Sequence, residues 1–224
     1  MTGKSVYKIG CIMETKNHDR KELIQKFRTE GILDAALRVI ARRGLEKATM
    51  EQVAEEAGIS KATIYLYFKN KDALYFQCVV DRFDVIMEEM RHSVEGVKDP
   101  IKKVETLIET QLRAMEAQKD FFRVFLTEKM SIFLDQSTEF GQEFARRHKD
   151  YSGLLSGAIE EAMDKKLLRR TDPQRAFYLL FSMVRGMAMF KIFCGDESPL
   201  STESGLILDV FFNGLRSKEK VNQT

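Results

Sequence analysis

Apolar residues recur along this chain at intervals of three and four, the spacing of one face of an α-helix, and no stretch alternates as a strand would. The pattern predicts an all-α protein. Its first stripe, Leu23, Phe27, Leu33, Leu37 and Ile40, opens at about Asp19 with Glu22 in capping-box position. It closes at Arg42-Arg43-Gly44, cations in the last turn before a terminal glycine. Thr49, with Gln52 three residues on, predicts a second capped helix that breaks at Gly58. Ser60 restarts a third at once, which runs to Asn70 and buries Ile64 and Phe68 on one face. Helix, glycine turn, helix within about twenty residues is the helix-turn-helix pattern, whose second helix enters the major groove of DNA.

Asn70 caps a fourth helix reaching about His92 and carrying Leu74, Cys78, Phe83, Ile86, Met87 and Met90. Asp99-Pro100 and Asp172-Pro173 each pair an N-cap with a proline at the first helical position. Between them lie the stripe Ile101, Val104, Ile108, Met115, and a segment opened by Asp120 with Phe121, Phe122, Phe125, Leu126 and Met130. A long helix follows Asp135 and Ser137, traced by Phe140, Phe144, Tyr151, Leu155, Ile159 and Met163. Ala176 to Cys194 is apolar on nearly all sides and must be covered on all of them, and the last helix, Ser204 to about Ser217, is similarly rich. Two such helices from each of two subunits would build a four-helix interface. Phe190, Ile207, Val210, Phe211 and Leu215 are its candidate residues; a single chain of this size could also bury both helices internally.

The expected organisation is an extension over residues 1–18 with Met13 as an alternative start, a helix-turn-helix domain over 19–71, and a larger helical domain over 72–224. Charge supports this division. Net charge is only +2, but residues 20–71 hold eleven Lys and Arg against seven Asp and Glu, so the basic excess sits with the helix-turn-helix. In the third helix the positions not needed for the core are Ser60, Lys61, Ala62, Thr63, Tyr65, Tyr67, Lys69 and, just beyond, Lys71. Small, hydroxyl, aromatic and cationic groups of this kind suit base edges and phosphates, although each tyrosine also suits a place shielding a small core.

The remaining chemistry narrows the function classes. Cys11, Cys78 and Cys194 are far apart and form neither a disulfide framework nor a zinc motif, which fits a reduced cytoplasm. Arg185 and Lys191 argue against a membrane span through the most apolar helix. No catalytic triad, paired carboxylates or phosphate loop is present, and His18, His92 and His148 stand apart in polar settings. Neither an enzyme, a metal site nor a bound cofactor is expected. The larger domain is instead rich in Phe and Met. Met115, Phe121, Phe125, Phe144, Tyr151, Phe181 and Met183 suit a pocket for a small hydrophobic or aromatic effector, and equally a plain helical core. Arg185 needs a carboxylate, a backbone oxygen or an anionic ligand group, a salt bridge at the subunit interface being the favoured answer.

ILDAALRVIARRG, TMEQVAEEAGISKATIYLYFKNKDAL and, more loosely, MVRGM and LDVFFNGL resemble the TetR family of bacterial transcriptional regulators. The resemblance implies an all-helical homodimer of nine or so helices. Three would form the DNA-binding domain and the rest a ligand-binding and dimerisation domain. It further implies base contacts from Lys61, Ala62 and Thr63, and phosphate contacts from Thr49, Tyr65, Tyr67 and Lys71. Leu66 departs from the usual pattern. The expected function is a cytoplasmic, dimeric, ligand-responsive repressor of a near-palindromic double-stranded operator. The competing expectation is a helical small-molecule-binding or protein-interaction protein without sequence-specific DNA binding.

Overall fold

A computed structural model describes the backbone of residues 6–127 and 135–215 and the side chains of residues 25–127 and 135–214. Among the described residues the elements are all helical. They are α1 (Val6–Arg43), α2 (Met50–Glu56), α3 (Lys61–Tyr67), α4 (Lys71–Ser93), α5 (Pro100–Ala117), α6 (Lys119–Thr127), α7 (Glu139–Asp164), α8 (Pro173–Cys194) and α9 (Ser204–Leu215), with a 3-10 turn over Leu200–Glu203. They fall into two compact units, Met1–Cys78 and Val79–Thr224. The division lies inside α4, not at its start.

In the first unit α1 begins at Val6, well ahead of the expected Asp19. No proline interrupts residues 6–19, and one glycine costs a helix only about 1 kcal/mol, so the capping residues at 19 have no break to cap. Phe27, assigned to the apolar stripe, is exposed, and the buried face starts at Ile32 and Leu33. From there Leu33, Ile40, Ile64 and Leu74 form a closed small core. Glu56 of α2 receives the guanidinium groups of Arg38, at 2.8 Å, and Arg42, which pins α2 to α1. Those two hydrogen bonds hold the Glu56 carboxyl below its ordinary pKa.

The second unit stacks α7 between α5 and α8. Leu107, Ile108, Leu112, Leu155, Ile159 and Phe177 are its innermost side chains. The expected caps are present: Asp99 accepts from the amides of Ile101 and Lys102 at 2.9 and 3.3 Å, and Asp172 from those of Gln174 and Arg175 at 2.8 and 3.1 Å. α8 ends at Gly195 in the left-handed conformation, φ +63°. Its buried cation is Lys191, whose ammonium reaches Asp196 at 3.1 Å, Glu203 at 3.2 Å and the Ser198 hydroxyl at 2.5 Å. This network fastens the loop after α8 to the start of α9. Among the described residues α8 alone is long and apolar enough to cross a membrane. The expected positions Met130 and Ser217, and the side chains of Leu23 and Leu215, lie outside the described residues.

Candidate functional site

The seven-residue helix α3 is placed by the turn before it. Gly58, at φ +67°, follows the last residues of α2, and the amides of Gly58 and Ile59 donate to the carbonyls of Glu55 and Ala54 at 3.1 and 2.9 Å. This is a complete Schellman motif, and its left-handed residue needs glycine. The Ser60 hydroxyl then accepts from the Thr63 amide at 3.0 Å and lies 2.7 Å from the Thr63 hydroxyl. Ile64 and Phe68 anchor the helix from beneath. It ends at Tyr67, because Phe68 is already extended (φ −135°, ψ 120°). Lys69, expected inside the helix, therefore stands beyond it, while Asn70 caps α4 as expected by accepting from the Ala73 amide at 2.8 Å.

The outward residues are Lys61, Ala62, Tyr65 and Leu66, with Thr63 and Tyr67 half-buried at the flanks. Lys61 pairs with Glu51 of α2, whose hydrogen bond raises the lysine pKa and lowers that of the carboxylate. Both partners are well exposed, so the pair is screened by salt and gives way readily to a stronger anion. Thr49 completes its capping box: its hydroxyl accepts from the Gln52 amide at 3.3 Å, and its own amide donates to the Gln52 side chain at 3.2 Å. The Thr49 amide is thus spent, and its hydroxyl is what that residue can offer a phosphate. Lys71 also departs from the expected phosphate contact. Its ammonium turns inward to donate to the carbonyls of Leu45 and Glu46 at 2.6 and 2.9 Å, closing the turn between α1 and α2. Lys71→Met should therefore lower stability by about 1–2 kcal/mol. Urea unfolding followed by circular dichroism checks this, an unchanged midpoint counting against the role.

In the second unit, α4 to α8 surround an apolar cavity of about 220 Å³. Of the expected pocket residues Met115, Phe125, Phe144, Tyr151, Phe181 and Arg185 line it, whereas Phe121 and Met183 do not. Phe121 stands behind the wall, buried, stacked on Phe125 at 5.9 Å and edge-on to Phe83. Met183 falls about 200° round α8 from Phe181. Sequence reasoning missed Phe83, Ile86 and Met87 on α4, together with Gln111, Phe122, Leu126, Arg147, His148 and Val184. Two of these were signalled. Gln111 lies between Ile108 and Met115 on the α5 stripe, and His148 between Phe144 and Tyr151 on that of α7, polar residues where the period calls for apolar ones.

The polar groups of the cavity differ in how they are partnered among the described residues. The Tyr151 hydroxyl donates to Gln111 at 2.8 Å, and burial, partly offset by that bond, pushes the phenol pKa far up, so it stays a neutral donor. His148 does not sit in a polar setting: it lies among aromatic rings, stacked on Tyr178 at 5.8 Å, and burial pushes its pKa down, leaving a neutral imidazole at pH 7. Arg147 forks onto Asp84 at 2.9 and 2.8 Å and also meets Glu143. Arg185 has no hydrogen bond or ion pair among the described residues of this one chain, and it faces the cavity.

The expected interface residues separate into two sets. Phe190 and Val210 are exposed, with Phe193 and Leu206 beside them in sequence, while Ile207 and Phe211 are buried within the protomer. On α9 the pairs 206/210 and 207/211 are each one turn apart, so one points outward and the other inward.

Residues 32–78 match the family model for bacterial regulatory proteins of the tetR family, and residues 97–189 that for the tetracyclin repressor-like C-terminal domain. An uncharacterized HTH-type transcriptional regulator, YvdT of Bacillus subtilis, is 31% identical over 174 residues, 72% of this chain and 88% of the relative. The fold is similar to that of the transcriptional regulator FadR from Bacillus subtilis in complex with stearoyl-CoA, with a TM-score of 0.73 and 23% identity over 84% of this chain and 99% of that one. It is also similar to AibR in complex with isovaleryl coenzyme A and operator DNA, with a TM-score of 0.67 and 23% identity over 84% and 98%.

Proposed function

Since the chain belongs to the TetR family of bacterial transcriptional regulators, we propose that it is a dimeric repressor released from its operator by an acyl thioester of coenzyme A. As a member of that family it is a DNA-binding regulator and not an enzyme. The observation that carries the effector reading is the apolar cavity walled by Phe, Met and Tyr, in which Arg185 has no counterion among the described residues. An acyl chain would fill the apolar part by exclusion of water, and the anionic end of the ligand would supply the charge that Arg185 lacks. The two acyl-CoA complexes among its structural relatives favour this class over an aromatic effector.

On the DNA side, Lys61, Ala62 and Thr63 read base edges in this proposal. Tyr65, Tyr67, Lys69 and the hydroxyls of Thr49 and Ser60 hold phosphates. A second copy, rather than lipid, would cover Phe190, Phe193, Leu206 and Val210, bringing two recognition helices to the two halves of a palindrome in the cytoplasm. Phe83, Ile86 and Met87 belong to the helix that starts at Lys71, so a ligand that prefers one setting of that helix is coupled to DNA binding.

An operator selected from a random DNA pool tests this. Its affinity for the full-length protein should fall about 5- to 150-fold on saturation with a matching acyl-CoA, and not with free coenzyme A. Unchanged operator affinity and melting temperature across acyl-CoA chain lengths and free fatty acids would sink the effector assignment.

A further inference from the structure

Leu66 is 84% exposed, more than any other large apolar side chain among the described residues, Phe193 of the second unit following at 77%. It lies one residue before the end of α3, where nothing among the described residues of its own unit covers it. The helix geometry says where it points. Ile64, fully buried, defines the inward direction, and positions 66 and 62 lie about 200° and about 160° round from it, so Leu66 and Ala62 form the outermost ridge. Thr63 adds a methyl to one flank, since its hydroxyl is drawn back to within 2.7 Å of the Ser60 hydroxyl at the helix start. The crest of the helix is therefore apolar, and its polar groups, Lys61 and the tyrosines, stand to the sides.

A leucine side chain has neither donor nor acceptor, so it cannot tell base pairs apart through hydrogen bonds. The major groove offers it one apolar group, the C5-methyl of thymine. We infer that Leu66 reads a thymine methyl in each operator half-site, a specificity-determining contact made by burial of one methyl against another. The inference rests on the reading of α3 as the DNA-recognition helix. It accounts for a large apolar side chain held in water at the crest of this helix, which only a partner can cover.

Deoxyuridine differs from thymidine at this surface by that methyl alone, and this gives the test. An operator selected by the full-length protein is remade with each thymine in turn replaced by deoxyuridine, and binding is measured for the unmodified protein and for Leu66→Ala. Loss of one buried methyl is expected to weaken binding about fourfold in one half-site and about fifteenfold in both. Leu66→Ala should weaken binding to the thymine operator by a comparable factor, and the two changes together should cost no more than either alone, the mark of a shared contact. The variant's melting temperature should be unchanged, because the side chain packs on nothing. Equal binding to thymine and deoxyuridine operators overturns the inference while leaving the repressor reading intact. A deoxyuridine penalty that persists in Leu66→Ala also overturns it, assigning the methyl to another residue. Failure of the selection to enrich any sequence would remove the DNA-recognition reading itself and the inference with it.

Discussion

Met115→Trp should give a protein that keeps its fold and no longer responds to its effector. Met115 is buried on α5 and forms part of the cavity wall. An indole there can grow into the roughly 220 Å³ that the proposed acyl chain would occupy. Overpacking a filled core costs about 1–3 kcal/mol, but this side chain enters a void, so the penalty belongs at the lower end. The acyl chain, by contrast, loses its site. The 5- to 150-fold weakening of operator binding expected on ligand saturation should shrink to less than about twofold. Fluorescence anisotropy with labelled operator, with and without acyl-CoA, measures this; a full response in a folded variant would show that the effector binds elsewhere.

Gly141→Ala should destabilise the second unit by about 2–3 kcal/mol and lower its melting temperature by about 5–10 °C. Helix propensity alone predicts the opposite sign, a gain of up to about 1 kcal/mol. Gly141 is the third residue of α7, and a Cβ there would overlap the carbonyl of Asp135. That carbonyl accepts from the amide and hydroxyl of Thr138 at 3.1 and 2.9 Å, while the Thr138 hydroxyl caps the Gly141 amide at 3.0 Å. The clash is with backbone, so the whole cap must move. Gly153→Ala is the internal control. It lies in the same helix with nothing within 4 Å of its added carbon, so it should be neutral or stabilising. Similar effects from the two substitutions would show that propensity, not the Asp135 turn, decides.

These two glycines show where sequence reasoning reaches its limit. Caps were legible because they are local: Thr49 with Gln52, Asp99-Pro100 and Asp172-Pro173 each satisfy amides two or three residues away, and each is found doing so. The inward face of α3 was legible for the same reason, Ile64 and Phe68 being four apart. The cavity was legible in composition but not in membership. Whether an aromatic faces a void or a neighbour depends on elements distant in sequence, so Phe121 and Phe125, one turn apart, fall on different sides of the wall. Lys71 departs from its expectation for a related reason. A cation next to a recognition helix suggests phosphate. Yet the partners of Lys71 are carbonyls 25 and 26 positions back.

The way α3 is held has a consequence for how this regulator can change. Two side chains, Ile64 and Phe68, with the Ser60 cap, secure a helix of seven residues, and Lys61, Ala62, Tyr65 and Leu66 contribute almost nothing to its support. Those four outward positions can therefore be varied together in a library with little loss of folded protein. A new operator preference is then a matter of sampling the crest of one short helix, and a lineage carrying this scaffold can acquire new target genes without first acquiring spare stability.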